Sequence, residues 1–254
     1  MSGHLAVIGL GPGDACYLTP EADAALKDAE VLYGYVRYLD RVPARDGQAR
    51  HASDNREERT RAVAALRAAA KGARVAIVSG GDPGVFAMAA AVCEEIEHGP
   101  ESFRALDVTI VPGITAMLAV AARIGAPLGH DFCALSLSDN LKPWDLIERR
   151  LDAAAGAGFV LALYNPMSQS RPWQFARAME RLAGLLPSAT PVVIGRSVGR
   201  ADEKVAVTTL DRAGSANADM ATLVIVGSPE TRLVQRPGRA PLVYTPRSAA
   251  VVSA

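Results

Sequence analysis

The chain has 254 residues, of which 50% are hydrophobic and 5% aromatic; this length is generous for one compact α/β domain and suits two smaller ones that share a cleft. Its 27 basic and 27 acidic residues balance, which argues against a nucleic-acid or membrane-surface binder because such proteins depend on excess positive charge. The cysteines are odd in number and far apart, namely Cys16, Cys93 and Cys133, so they match neither a disulfide framework nor a zinc site. The chain lacks the pattern of a signal peptide and any membrane-length apolar run, so we expect a cytoplasmic protein. No metal site is expected, because the cysteines do not have the spacing of metal ligands.

Short apolar runs alternate with helical patterns through the first half of the chain, which predicts a largely parallel sheet with helices on its faces. The predicted strands span residues 4–10, 31–35, 74–78 and 107–111. A first helix opens at Thr19-Pro20, and further helices are predicted over 54–71, 85–95 and 116–124. The polar segment 38–53 has no clear pattern.

Two of these helices carry specific start signals. Asp54 and Glu57 have the spacing of a capping box, and Pro83 suits the first turn of the helix that follows it. The arginines of the 54–71 helix are assigned to its exposed face: Arg56, Arg59, Arg61 and Arg67.

The turn-forming segment 125–129 is the predicted linker. It divides the chain into domains 1–126 and 127–230 and an extended tail 231–254, in which one edge strand is expected at 241–244. In the second domain, strands are predicted over 132–138, 159–164, 192–197, 205–210 and 222–226, and helices over 144–155 and 173–186. The short connection between 197 and 205 favours antiparallel pairing. The predicted fold class is therefore α/β, with two domains of mixed, mostly parallel sheets and a ligand cleft between them.

Two predicted strands end in glycine-rich loops, Gly9-Leu10-Gly11-Pro12-Gly13-Asp14 and Ser79-Gly80-Gly81-Asp82-Pro83. Glycines let a ligand approach the backbone closely, although plain turns would also use these residues. A dinucleotide site is disfavoured, because Asp14 stands where a phosphate would lie and Pro12 lacks an amide donor. An NAD-dependent oxidoreductase is thus an alternative of lower rank. A ligand beside Asp14 and Asp82 would be neutral or cationic, as S-adenosylmethionine is.

The order and spacing of three segments resemble the S-adenosylmethionine-dependent tetrapyrrole methyltransferases of cobalamin and sirohaem biosynthesis. They are Val7-Ile8-Gly9-Leu10-Gly11-Pro12-Gly13-Asp14 with Leu18-Thr19-Pro20, then Ser79-Gly80-Gly81-Asp82-Pro83, then Val111-Pro112-Gly113-Ile114-Thr115-Ala116. Four further segments are similar to the ring-contracting branch that methylates C-17 of precorrin-3B: Tyr33-Gly34-Tyr35 with Tyr38, Leu163-Tyr164-Asn165-Pro166 with Ser168, Gly195-Arg196-Ser197-Val198-Gly199-Arg200, and Tyr244-Thr245-Pro246-Arg247. Another branch, acting on the cobalt-containing intermediate or at another ring carbon, and a non-catalytic tetrapyrrole carrier remain alternatives.

The resemblance implies the roles of particular residues and a homodimer. It implies that S-adenosylmethionine contacts Pro12, Gly80, Gly81, Asp82, Val85, Thr115, Ala116, Leu163, Tyr164 and Thr222. The carboxylate arms of a precorrin substrate need cations, for which the candidates are Arg37, Lys142, Arg171, Arg196 and Arg200. Ring contraction would be helped by proton transfer, for which the candidates are His130, Asp131, Asp82 and Ser53.

Overall fold

A computed structural model of the chain describes residues 3–54 and 56–248. The chain divides into two compact units, Met1–Ala116 and Met117–Ala254. The division lies ten residues before the predicted boundary at 126/127. The reason is that Gly125 and Ala126 pair with Val243 and Tyr244 near the end of the chain, which makes the predicted linker part of the second unit.

The first unit is a layered α/β structure. Its strands are β1 (His4–Gly9), β2 (Val31–Tyr35), β3 (Ala49–Ser53), β4 (Arg74–Ser79) and β5 (Asp107–Val111). Its helices are α1 (Pro20–Asp28), α2 (Val36–Leu39), α3 (Glu58–Ala70), α4 (Met88–His98) and α5 (Glu101–Arg104), with a 3-10 turn at Ala15–Tyr17. Across the described residues, the strands form a parallel sheet in the order β3-β2-β4-β1-β5.

The alternation of side chains along the strands covers both faces of this sheet. Leu5 and Val7 of β1 pack into the same buried cluster as Leu66 of α3 and Val92 of α4. Ala6 and Ile8 of β1 face the other way and pack with Ala22 and Leu26 of α1. Successive side chains of a strand point to opposite faces, so α1 lies on one face of the sheet and α3 and α4 lie on the other.

Several predicted boundaries in this unit are wrong. The helix predicted over 54–71 begins at Glu58, and its N-cap Glu57 makes no side-chain cap. The helix predicted from residue 85 begins at Met88, because Phe86 adopts a left-handed conformation with φ of 51° and keeps Pro83 outside the helix. Strand β3 lies in the polar segment 38–53, for which the sequence predicts no element. Its polar sequence suits an exposed edge strand. By contrast, Thr19 caps α1 as predicted, accepting a hydrogen bond from Ala22 N at 3.1 Å.

The second unit contains the remaining elements. Its strands are β6 (Gly125–Ala126), β7 (Phe132–Ser136), β8 (Val160–Tyr164), β9 (Pro191–Arg196), β10 (Lys204–Thr209), β11 (Thr222–Val226), β12 (Arg232–Arg236) and β13 (Arg239–Tyr244). Its helices are α6 (Ala116–Ile124), whose first residue closes the first unit, α7 (Trp144–Gly156), α8 (Gln174–Ala183) and α9 (Leu210–Ala213).

The sheets of the second unit are mixed. The larger sheet has the order β10-β9-β11-β8-β7, and among its described strands only β7 and β8 pair in parallel. The antiparallel β9/β10 pair follows the prediction from their short connection. Strands β12, β13 and β6 form a second sheet. The strand predicted at 241–244 lies within β13, but β13 is the central strand of this sheet and not an edge, and β12 was not predicted. Residues 249–254 of the predicted tail lie outside the described part. No helix within residues 3–54 and 56–248 is long and apolar enough to cross a membrane.

A close approach between α6 and β9 gives a test of the packing in this unit. A Cβ atom added to Gly195 would overlap Val120 Cγ2 and lie 2.8 Å from Val120 Cγ1. We expect Gly195→Ala to lower the free energy of unfolding by about 1–3 kcal/mol, as overpacking of a core does. Adding Val120→Ala should relieve that overlap, so the double variant should be more stable than the sum of the two single changes predicts.

Gly156→Ala is the matched control, because a Cβ at Gly156 would have no neighbour within 4 Å. This change near the end of α7 should be neutral or stabilising by up to about 1 kcal/mol. Urea unfolding monitored by circular dichroism measures the wild type and these four variants. Additive effects of the Gly195 and Val120 changes would contradict the packing described here.

Candidate functional site

Two adjacent strands of the first unit send their connections in opposite directions. After β1 the chain passes to α1 on one face of the sheet, and after β4 it passes to α4 on the other face. Loops that diverge in this way at the carboxyl ends of neighbouring strands leave a crevice, where α/β proteins commonly bind ligands. Both glycine-rich loops identified in the sequence stand at this point.

A short backbone bridge joins the two loops. Gly11 N donates to Gly81 O at 3.1 Å, and Gly81 N donates to Gly11 O at 2.9 Å. Both glycines have φ of 66°, a left-handed conformation that strains residues with a side chain. The glycines are therefore needed for the shape of the loops.

The carboxylate of Asp82 binds backbone amides within the first unit. Its Oδ1 accepts from Gly84 N at 2.8 Å and its Oδ2 accepts from Gly113 N at 3.1 Å. It thereby ties the loop after β4 to the loop after β5. Asp82 is thus better explained as a loop-fixing residue than as the acid that selects a cationic ligand, and its two occupied oxygens also weaken its candidacy for proton transfer.

Arg41 is a residue that sequence reasoning missed. Its Nη2 lies 2.8 Å from Leu10 O, 3.0 Å from Gly11 O and 2.6 Å from Gly13 O, so it holds the loop after β1 by its carbonyl groups. Arg41 falls in the polar segment 38–53, where the residue pattern gave no assignment. Only the contacts between this segment and the first loop reveal its function.

The structure brings several predicted donor contacts together in the first unit. A Cβ on Gly81 would lie 3.7 Å from Thr115 Cα and 3.9 Å from Ala116 N, so the backbone of the β4 loop faces the turn after β5 across a narrow gap. A Cβ on Gly80 would lie 2.7 Å from the ring of Tyr38. Thr115 is 5% exposed, and Pro12 and Val85 are half-buried in the same loops. The gap beside Gly81 is therefore bordered by backbone groups, whereas the ring of Tyr38 occupies the space beside Gly80.

In the second unit, strand register places other predicted residues at one edge of the larger sheet. Ser136 pairs with Tyr164, Leu163 pairs with Val224, and Thr222 pairs with Arg196. Tyr164 Oη accepts from Met117 N at 3.2 Å. The Thr222 hydroxyl donates to Asp219 Oδ1 at 2.8 Å and accepts from Asp219 N at 3.0 Å, so its hydrogen is not available to a ligand.

His130 and Asp131 do not lie at this edge. They precede β7, whereas Ser136 at the end of β7 pairs with Tyr164. At about 3.3 Å per residue, this separates them from Tyr164 by roughly 15–20 Å along the sheet. His130 Nδ1 accepts from Asp131 N at 2.7 Å, which is the geometry of a local turn. The structure thus argues against both residues as proton-transfer groups for a ligand at the Tyr164 edge.

Two of the five candidate cations already have carboxylate partners. Arg196 donates to Asp219 Oδ2 at 2.8 Å and to Asp202 Oδ2 at 3.0 Å. Although burial raises it, hydrogen bonds from Thr222 and Arg196 hold the pKa of Asp219 below its ordinary value. Arg171 binds the Ser138 hydroxyl and lies 3.4 Å from Asp139 Oδ1. Neither guanidinium is well placed to receive a further carboxylate.

The other three cations differ in exposure. Arg37 and Arg200 are exposed, and Arg37 forms no ion pair with any residue that the structure describes. Lys142 Nζ donates to Ser138 O at 3.3 Å. Burial, reinforced by the neighbouring Arg150, lowers the pKa of Lys142.

Arg61 was assigned to the exposed face of a helix, and this assignment is wrong. It is 4% exposed and donates through Nε to the Ser53 hydroxyl at 2.8 Å. The buried positions of α3 are Arg61, Ala62, Ala65, Leu66 and Ala69, which form one helical stripe. That spacing is visible in the sequence and could have revealed the burial.

Comparison with known proteins shows the family to which the chain belongs. Residues 4–214 match the family model of tetrapyrrole (corrin/porphyrin) methylases. The chain belongs to this family. It is 61% identical over 247 residues to a precorrin-3B C(17)-methyltransferase of Sinorhizobium sp, with 97% of each chain covered.

Solved structures agree with this membership. The crystal structure of the methyltransferase CobJ matches this tetrapyrrole methylase with a TM-score of 0.90 at 48% identity, covering 96% of this chain and 100% of that one. A uroporphyrin-III C-methyltransferase of Thermus thermophilus, complexed with S-adenosylhomocysteine, has a TM-score of 0.68 at 22% identity and covers 89% of this chain and 97% of that chain. The second likeness concerns the fold alone. The predicted family and α/β fold class are confirmed.

The two bonds to Asp82 predict a measurable contribution to the stability of this tetrapyrrole methylase. Asp82→Ala should lower the free energy of unfolding by about 1–3 kcal/mol, because it leaves two amide groups of tight loops without their acceptor. Asp14→Ala is the control, since Asp14 is exposed and makes no side-chain cap; it should change stability by less than about 0.5 kcal/mol. Chemical denaturation compares them, and equal effects would refute the loop-fixing function of Asp82.

Proposed function

We propose that this chain transfers a methyl group from S-adenosylmethionine to C-17 of precorrin-3B and contracts the ring to precorrin-4 in cobalamin biosynthesis. The observation that carries the proposal is 61% identity, over 97% of both chains, to a relative named for C-17 methylation of precorrin-3B. The bridge that joins the two glycine-rich loops of the first unit agrees with it. S-adenosylmethionine carries its methyl group on a positively charged sulfur, so a ring carbon can bond to the methyl carbon while the carbon–sulfur bond breaks and S-adenosylhomocysteine leaves. The protein has to orient the two reactants and exclude water.

The donor contacts we propose are mainly backbone groups and small side chains. In the first unit they are Pro12, Gly80, Gly81, Asp82, Val85, Thr115 and Ala116, and in the second unit Leu163, Tyr164 and Thr222. The gap beside Gly81 and the fixed loops support the first group. The shared edge of Leu163, Tyr164 and Thr222 in the larger sheet supports the second group. The related structure with bound S-adenosylhomocysteine agrees with this choice of donor.

For the tetrapyrrole, we propose Arg37, which is exposed and forms no ion pair with any described residue, as the first cation to meet a substrate carboxylate, and we keep Arg200 as a candidate because it is exposed. Arg196 and Arg171 are weaker candidates because each already lies beside a carboxylate. Lys142 is retained as a candidate because its lowered pKa reflects a desolvated amine that would gain from a counter-charge. The resemblance also leads us to propose a homodimer and a cytoplasmic location, which light scattering and cell fractionation can test.

The proposed reaction has a direct test. Protein incubated with precorrin-3B and S-adenosylmethionine labelled in its methyl group should place the label on C-17, as assigned by NMR. Label at another ring carbon, or conversion of only the cobalt-containing substrate, would assign the chain to another branch of the family. Binding of a nicotinamide cofactor without any heat of S-adenosylmethionine binding would instead support the oxidoreductase alternative.

A small substitution at Gly81 tests the donor contact. Gly81→Ala places a methyl group in the gap beside Thr115 without a clash, because its nearest neighbour would be 3.7 Å away. The left-handed conformation costs about 1–2 kcal/mol of stability for a residue with a side chain. We expect the dissociation constant of S-adenosylmethionine, measured by calorimetry, to rise by at least about tenfold, equivalent to about 1.4 kcal/mol.

Gly47→Ala is the matched control for backbone strain. Gly47 also has a positive φ, of 77°, and a Cβ there would have no neighbour within 4 Å. The two variants should lose similar stability, but only Gly81→Ala should lose donor affinity. Unchanged donor affinity in folded Gly81→Ala protein would show that this turn is structural only.

A further inference from the structure

A buried arginine in the first unit lies among neutral groups. Arg61 is 4% exposed, and its guanidinium donates to Ser53 Oγ at 2.8 Å, to Asp54 O at 2.6 Å and to Met88 Sδ at 3.2 Å. Within residues 3–54 and 56–248, it joins no ion pair. Burying a charge is unfavourable unless a counter-charge is close.

The acidic groups around Arg61 act only at longer range. Burial lowers the pKa of Arg61, and the carboxylates of Glu58, Glu57 and Asp54 and the phenol of Tyr38 only partly offset this. Those three carboxylates are exposed, so water screens their attraction to the buried guanidinium. A carboxylate brought close to Arg61 would therefore find a cation that is not yet neutralised.

Arg61 lies at the ligand edge of its sheet. Ser53 is the last residue of β3 and pairs with Tyr35 at the end of β2, on the same carboxyl edge as the glycine loops. Met88 is the first residue of α4 and follows the loop that contains Gly81 and Asp82. The guanidinium thus connects the end of β3 to the start of α4.

The hydrogen bond between Arg61 and Ser53 sets the direction of the serine proton. Arg61 Nε donates to Ser53 Oγ, so the oxygen is the acceptor and its own hydrogen is left to donate. None of the described residues accepts that hydrogen. Ser53 is half-buried, so it can still be reached from solvent.

We propose that Ser53 and Arg61 form the subsite for one carboxylate arm of the tetrapyrrole substrate. The Ser53 hydroxyl donates to a carboxylate oxygen. Arg61, whose Nε donates to Ser53 Oγ, supplies the counter-charge and orients the hydroxyl. This subsite rests on the proposed function, because a tetrapyrrole with acetate and propionate arms is the anion that the reaction brings to this edge. Ser53 is then a substrate contact and Arg61 a positioning residue.

Ser53→Ala and Arg61→Met test the subsite through steady-state kinetics with precorrin-3B. We expect the KM for precorrin-3B to rise at least about fivefold in Ser53→Ala and about tenfold in Arg61→Met, with kcat within about twofold, because the contact holds substrate and transition state alike. The donor dissociation constant should not change. The double variant should be no worse than Arg61→Met by more than about twofold, because the two residues act as one unit.

Matched controls distinguish an effect on the subsite from a general effect of removing a hydroxyl or an arginine side chain. Thr109→Val removes another hydroxyl of the same sheet, one that contacts the His4 ring at 2.9 Å. Arg59→Met removes an arginine of the same helix whose side chain is 84% exposed and paired with Glu95. Both controls should leave the KM for precorrin-3B within about twofold of wild type.

Thermal stability separates a binding function of Arg61 from a structural one. Without substrate, the Tm of Arg61→Met should be unchanged or raised, because an apolar side chain replaces a desolvated charge. A lowered Tm with an unchanged KM would overturn the proposal, as would an unchanged KM in Ser53→Ala.

Failure of the proposed function would give a different result. If wild-type protein did not methylate precorrin-3B, absorbance titration with that tetrapyrrole would still compare the dissociation constants of wild type, Ser53→Ala and Arg61→Met. Weaker binding by both variants would support the subsite while refuting the proposed reaction. No binding by wild type would refute both.

Discussion

The backbone bridge between Gly11 and Gly81 is the constraint on which the candidate site of the first unit depends. Its two hydrogen bonds, 3.1 and 2.9 Å long, form between peptides whose glycines both have φ of 66°. Any other residue at either position would carry a strain of about 1–2 kcal/mol. Because the bridge joins loops that leave adjacent strands toward opposite faces of the sheet, it sets the width of the crevice between them.

Polar side chains near the bridge stabilise the loops before any ligand binds. Asp82 accepts two amide hydrogens, and Arg41 Nη2 lies within hydrogen-bond distance of three carbonyl oxygens. Loops fixed in this way lose little conformational freedom on binding, which favours affinity. It follows that the charge of Asp82 is a poor guide to the charge of the ligand. The order and spacing of the motifs, and not the charge of Asp82, led to the correct family.

The sequence was informative where local pattern decides structure and uninformative where a distant partner does. Apolar strands, the Thr19 cap and the antiparallel β9/β10 pair follow from residues near one another in the chain. Strand β3 is polar because it is an exposed edge. The pairing of β13 with β6 and the function of Arg41 depend on contacts with segments far away in sequence. The burial of Arg61, by contrast, was present in the stripe it shares with Ala65 and Ala69, and was missed because charge was given more weight than spacing.

Strand direction decides which residues of the second unit can meet a ligand at one edge of its sheet. Because β11 runs antiparallel to β8 and β9, its first residue Thr222 lies at the edge where those strands end with Tyr164 and Arg196. Because β7 runs parallel to β8, its start lies at the opposite edge, and His130 lies there with it. A histidine that the sequence offers as a proton donor can therefore be far from Tyr164 in the sheet. Proton transfer at the Tyr164 edge must come from residues at that edge, from the substrate or from water, and the choice of His130 from the sequence lacked only this information on direction.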